Sequence, residues 1–124
     1  MTDIHAIAAD MVAMTKAGDF HIGEKYWADD VVSIEAAASP MARVEGREAV
    51  MGKSGWWYTN HEVHSTTTRG LYINGDQIAI HWTMEVTFKK SGQRMAMDEV
   101  ALYTIKDGKI AEERFFYDAP VTTG

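Results

Sequence analysis

The chain has no cysteine, which excludes disulfides and thiolate chemistry and leaves its redox compartment open. Basic residues are sparse. Lys89-Lys90 is the one adjacent pair, and the formal net charge is -6. Phosphate binding relies on Lys and Arg, so this balance argues against a nucleic-acid partner. No apolar run approaches membrane-spanning length, and no basic region leads an apolar stretch at the N-terminus. A membrane partner and a secretory leader are therefore not expected, and the cytoplasm is the expected location. A Gly-rich phosphate loop, a Ser-His-Asp order and a dinucleotide fingerprint are missing too. His61-Glu62-Val63-His64 is not a zincin motif, which needs histidines four apart on a helix. Here they are three apart, entering a Thr-rich strand whose alternation sends them to opposite faces. The sequence calls for no metal and no cofactor.

What is present describes an ordinary soluble globular protein. Hydrophobic residues make up 46% of 124 positions, enough for one domain over residues 1–124 with a single substantial core. Thr2 or Asp3 can cap a first helix with Ile4, Ile7, Ala8, Met11, Val12 and Met14 on one face, and Gly18 fits its C-terminal stop. Asp19 can cap a short second helix with Phe20, Tyr26 and Trp27 inward. Gly23 inside it costs about 1 kcal/mol relative to Ala. Asp29-Asp30 closes that helix, and residues 31–35, VVSIE, read as a short strand. Residues 36–45, with Pro40 and no clean period, read as a loop at the rim of a cavity. A third helix starts at Gly46-Arg47 and carries Trp56, Trp57 and Tyr58 near its end.

From His61 the pattern turns to strands. His61 to Ile73 ends in Asn74-Gly75, a strong hairpin signal. Residues 76–90 alternate strictly, with Ile78, Ile80, Trp82, Met84, Val86 and Phe88 on one face. Ser91-Gly92 and Asp107-Gly108 give two further turns around residues 93–106, a run with Met95, Met97, Glu99, Ala101, Tyr103 and Ile105 on one face. Helices followed by a four-strand antiparallel meander mean an α+β fold, a curved sheet wrapped over helices. Two-residue loops at the last two turns pair Met84 with Glu99, Tyr103 with Glu113 and Glu99 with Tyr117. Glu99, Glu113, Tyr103, Tyr117, Phe115, Trp82 and Met84 then share the helix-facing side.

Ala17-Gly18-Asp19, Trp27-Ala28-Asp29-Asp30 before a strand, Gly46-Arg47-Glu48-Ala49 and Asp107-Gly108-Lys109-Ile110 before a last strand occur in that order over nearly the whole chain. With these marks the sequence resembles the SnoaL-like branch of the nuclear transport factor 2-like superfamily, which includes ketosteroid isomerase, polyketide cyclases and limonene epoxide hydrolase. The resemblance implies a cone-shaped α+β barrel, N-terminal helices packed in a curved, mainly antiparallel sheet, with a deep apolar pocket and a homodimer through the outer sheet face. It also implies where catalytic groups would stand. Glu35 falls where ketosteroid isomerase keeps its base, but Met11 and Ala101 replace its two oxyanion donors. Trp82, Met84 and Phe115 replace the Arg and two Asp of the epoxide hydrolase, and Phe115 also takes the polar last-strand position of polyketide cyclases. The known constellations are absent on a scaffold that remains.

Two carboxylates are the candidate acid and base. Glu99, in an apolar row, should have a raised pKa through desolvation; it could equally accept a tyrosine hydroxyl and serve the sheet. Glu35, at the end of the first strand, could form an acid-base pair with it across the cavity. Glu113 faces inward on this register, either as a pocket group or as a rim partner of Arg94 or Arg69. Arg69 is the candidate cation beside a pocket carboxylate. Trp27, Trp57, Trp82, Met84, Met97, Tyr103, Glu113, Phe115 and Tyr117 would line a cavity for a small apolar, cyclic molecule, or else fill the core. Two functions follow: cofactor-free proton transfer of the isomerase, cyclase or hydratase kind, or a non-catalytic dimeric ligand-binding or protein-association module. Val100, Leu102, Ile110 and Phe116, read as outward, would form the dimer patch.

Overall fold

Three helices lie against one six-stranded sheet in the computed structural model, which describes residues 3–36 and 42–117. The first helix, α1, runs Ile4–Lys16, with Asp3 Oδ1 accepting from the His5 backbone N–H at 2.9 Å as its N-cap. Ile7, Ala8, Met11 and Thr15 form its buried face. Gly18, at φ 80°, ends it in the left-handed conformation that a helix stop uses.

Helix α2 is one short turn, Ile22–Tyr26. Trp27 is not part of it but opens strand β1, Trp27–Ile34, so Asp29-Asp30 lies within a strand that starts four residues earlier than the sequence suggests. The pairing irregularity between Trp27 and Val32 explains the difference, since it breaks the alternation just where the two aspartates stand exposed. Gly23 also has a reason to be glycine. A Cβ there would sit 2.1 Å from two atoms of the Trp27 indole. Gly23→Ala should therefore destabilise the protein by about 1–3 kcal/mol, overpacking exceeding the helix-propensity gain. A urea midpoint equal to or above wild type would contradict this.

The segment read as a rim loop holds a short strand, β2, Arg43–Glu45, antiparallel to β1; its residues 37–41, Pro40 included, lie outside the described residues. Helix α3 spans Arg47–Asn60, and β3 (His61–Asn74), β4 (Gln77–Phe88), β5 (Gln93–Lys106) and β6 (Lys109–Phe116) follow. Strand order is β2-β1-β6-β5-β4-β3. The last four strands form the expected antiparallel meander, while β1 runs parallel to β6 and makes the sheet mixed. The sheet does not close, so β2 and β3 are its edges.

Two register details position everything downstream. The β4–β5 connection is four residues long, pairing Phe88 with Gln93, so that Trp82 rather than Met84 stands opposite Glu99. The shift from a two-residue loop is even, and with a side-chain period of two it leaves every residue on its expected face. At the other hairpin, Asp107 (φ 53°) and Gly108 (φ 75°) make the two-residue turn, and Tyr103 does meet Glu113. A register shift between Thr104 and Ile105, however, pairs Ile105 with Ile110 instead of Ala111. That shift turns Ile110 inward, where it is fully buried, and removes it from the outer patch. The core joins Ile7 and Met11 of α1, Val50 of α3 and Ile78, Ile80, Ala101 and Ile110 of the sheet.

Candidate functional site

Between the helices and the inner sheet face lies a cavity of about 130 Å³. Trp27, Trp82, Met84, Glu99, Tyr103, Glu113 and Phe115 line it, joined by Thr15 and Phe20 from the first helical region, Ser54 and Tyr58 from α3, and Thr66 from β3. Trp57, Met97, Tyr117 and Glu35 are not among its walls. Trp57 instead stacks on His61, with ring centroids 4.3 Å apart, and Tyr58 is the member of the Trp56-Trp57-Tyr58 group that reaches the cavity. The helical period explains this: Ser54 and Tyr58 are four apart and share a face.

Two carboxylates on the cavity wall have opposite surroundings. Glu113 is 5% exposed and fully engaged, accepting from Trp27 Nε1 at 2.6 Å and from Ser33 Oγ at 2.7 Å. Burial still raises its pKa above the ordinary carboxylate value, outweighing those hydrogen bonds and the nearby Lys53. The rim ion pair considered for it does not form: Arg94 pairs with Glu85 at 3.0 Å, and Arg69 donates to Thr83 Oγ1 at 2.7 Å. Arg69 falls at the second of two irregularities in β3, between Thr68 and Gly70, which turns it out to solvent.

Glu99 is half-buried in the middle of β5. Among the described residues no side chain donates a hydrogen bond to it. Burial pushes its carboxyl up to about 7, the charges of Glu35 and Glu113 add to the rise, and Lys53 opposes it. A carboxyl group at that value carries its proton about half the time at neutral pH, the condition for either giving or taking one.

The cation is Lys53, which nothing in the strand patterns singles out. Its ammonium donates to Glu35 Oε1 at 2.8 Å and to Ser33 Oγ, and lies 5.5 Å from the centre of the Phe115 ring. Its side chain is 10% exposed. Glu35 accepts a second bond from Tyr117 Oη at 2.9 Å. A continuous chain thus runs Trp27, Glu113, Ser33, Lys53, Glu35, Tyr117, starting on the cavity wall at Trp27 and Glu113 and leading to residues that do not line it. A signal for Lys53 did exist. It is three residues beyond Val50, the fully buried anchor of α3, so the helical period brings it to the inner face. Ser33 was legible in the same way, two residues along β1 from buried Val31.

His61 Nδ1 lies 2.9 Å from Trp57 O and His64 Nε2 lies 2.6 Å from Thr87 Oγ1; no group of three or more potential metal ligands occurs among the described residues. No helix among them is long and apolar enough to cross a membrane.

Comparison with known proteins places this arrangement. A family model described as a SnoaL-like domain matches residues 1–117. A candidate SnoaL-like polyketide cyclase from Mesorhizobium loti is 50% identical in sequence; the match covers 94% of this chain and all of that one, with a TM-score of 0.87. Two more distant structures share the fold. One is a candidate isomerase from Bacillus subtilis (15% identity, 94% of this chain and 90% of that one, TM-score 0.79). The other is an NTF2-like protein from Burkholderia thailandensis (18% identity, 95% and 92%, TM-score 0.79). A search of curated proteins finds no match. The chain belongs to the SnoaL-like family and has its nuclear transport factor 2-like α+β fold, a few helices packed against a large, open, mixed sheet.

Proposed function

We propose that the protein is a cofactor-independent acid-base catalyst of the isomerase, cyclase or hydratase kind, with Glu99 as the group that moves the proton. The observation that carries this reading is the Glu99 carboxyl itself: half-buried, on the cavity wall, without a side-chain donor among the described residues, and held near 7. Glu113 and Glu35 are committed to other partners and serve as the fixed electrostatic frame. Glu35 contributes by holding Lys53, not as a second proton carrier. The substrate is small. A cavity of about 150 Å³ accommodates benzene, so the site takes a single ring or an equivalent short chain, not a fused polycycle, unless its walls move. Native mass spectrometry of protein purified from cells should show a bound species of that size released on denaturation. A tightly held molecule many times larger would contradict the assignment of this cavity as the site.

The second reading, a non-catalytic dimeric module, has its own observation. Phe116 stands opposite Val100 on the outer sheet face, 50% and 36% exposed, with Leu102 one row along. Covering this cross-strand apolar pair in a homodimer would remove it from water. We expect a dimer in sedimentation at micromolar concentration, and Phe116→Arg to give monomer with an unchanged far-UV spectrum. A wild-type monomer at that concentration refutes the interface. The dimer and the catalytic reading are independent, because neither residue touches the cavity.

A further inference from the structure

Six aromatic side chains, Phe20, Trp27, Tyr58, Trp82, Tyr103 and Phe115, wall the cavity together with two carboxylates, Glu99 and Glu113. Among the described residues no Lys, Arg or His lines it. Its side-chain donors are also largely committed. The Trp27 indole N–H goes to Glu113 and the Thr15 hydroxyl to Met11 O at 3.0 Å, while Trp82 Nε1 and Thr66 Oγ1 are buried with no surface open to a ligand. The hydroxyls that remain, on Ser54, Tyr58 and Tyr103, accept as readily as they donate. The space is therefore rich in acceptors and poor in fixed donors.

Its charge balance has the same sign. Lys53 of α3 is bound to Glu35, just after β1, so these two charges offset each other. Lys53 also donates to Ser33 Oγ, which turns the Ser33 hydrogen toward Glu113 Oε2. With Trp27 donating to Oε1, both Glu113 oxygens accept, the pattern of an ionised carboxylate. The nearby tyrosines stay neutral: burial pushes Tyr58 up to about 12 and raises Tyr103 and Tyr117 as well. Glu99 adds a second negative charge whenever it ionises, and no wall residue neutralises it. Aromatic rings attract a positive charge placed over their faces, and a carboxylate pairs with one directly.

We propose that the cavity binds a small organic ammonium ion, a protonated amine of single-ring size, its charge paired with Glu99 in the field of Glu113 and its carbon skeleton against the aromatic walls. The size follows from the cavity volume of about 130 Å³. The inference rests on the reading of this cavity as the site and adds the ligand class. It also couples binding to protonation. A bound cation favours the charged form of Glu99, so the amine drives the Glu99 proton to solvent and leaves a carboxylate able to act as a base.

The test uses two probes of one shape, cyclohexylamine and cyclohexanol, the first a cation and the second neutral. An alkylammonium, like that of lysine, keeps its proton to about pH 10. Titration calorimetry of the full chain at pH 8 should show cyclohexylammonium binding about tenfold tighter than cyclohexanol. That advantage should shrink as pH falls through the Glu99 midpoint, and carboxyl 13C NMR should place the midpoint about one pH unit lower with the amine bound. Glu99→Gln should lose most of the advantage, whereas Glu85→Gln, an exposed carboxylate paired with Arg94 away from the cavity, should keep it. Equal affinity of the two probes at pH 8, equal losses in Glu99→Gln and Glu85→Gln, or no binding of cyclohexylammonium at millimolar concentration overturns the proposal. The Glu99 titration of the free protein separates this from the acid-base reading. A midpoint near 7 with equal probe affinities removes the ligand class alone, whereas a midpoint near 4.5 with the ammonium still preferred removes the acid-base role and keeps the ligand class.

Discussion

Glu99→Gln should reduce any turnover the wild type shows by a factor of about 10²–10⁴, the usual contribution of a general acid or base, while making the protein more stable at alkaline pH. The second half follows from the sign of the pKa shift. Glu99 has a folded value of about 7 against 4.5 for the free group. The folded state therefore holds the proton more tightly, and the stability linked to it is fully present below about 4.5 and lost as pH rises through 7. At pH 8 the buried charge costs the wild type about 3 kcal/mol relative to pH 4. The glutamine amide mimics the protonated carboxyl, so at pH 5 the variant and wild type should unfold at nearly the same urea concentration. At pH 8 the variant should be more stable by up to that amount. Parallel stability-pH curves for the two proteins would show that Glu99 titrates in the ordinary carboxylate range. Full activity in the variant would remove Glu99 from catalysis.

Lys53→Met should be the most destabilising single change in the site. The ammonium is nearly buried, and its loss leaves Glu35 without its ion-pair partner and Glu113 without the nearby cation that favours its charged form. Breaking a buried pair costs about 3–5 kcal/mol, and because Glu35 retains 19% exposure the lower end applies. For a chain of this length about 3 kcal/mol is a drop in Tm of about 10 °C. Lys53 also lowers the Glu99 pKa, so the variant should show the Glu99 midpoint above 7. Adding Glu35→Gln removes the orphaned charge and should restore part of the loss, a recovery that a simple cavity in place of Lys53 would not give. A Tm within about 1 °C of wild type at neutral pH would show that the chain from Trp27 to Tyr117 is not structural.

These two residues differ in how legible they were. Glu99 stood out because alternation makes a strand's face readable: a carboxylate between Met97 and Ala101 on an apolar face has few explanations. Its face is unaffected by the longer hairpin loop because the difference is two residues, and period two forgives even shifts. Arg69 and Ile110 have no such protection. Each sits at a one-residue irregularity, which reverses the face, and composition gives no sign of where a bulge falls. Lys53 was hidden by its type, since a lysine beside Gly52 on a helix reads as solvated until the elements packed over it are known.

The sequence by itself determined the α+β class, three helices ahead of a four-strand meander, the three hairpin turns and the inner face of β4 and β5. All of these rest on local periodicity and on turns that glycine alone adopts readily. Only the tertiary structure decided that β1 lies parallel to β6, which brings Ser33 against Glu113, and that Lys53 of α3 donates to that same Ser33. The same packing separated the two candidate carboxylates, tying Glu35 to Lys53 and Tyr117 and setting Glu99 beside Trp82, with no side-chain donor among the described residues. Which carboxylate is paired and which stands alone depends on distances between segments far apart in the chain, and no local pattern encodes those distances.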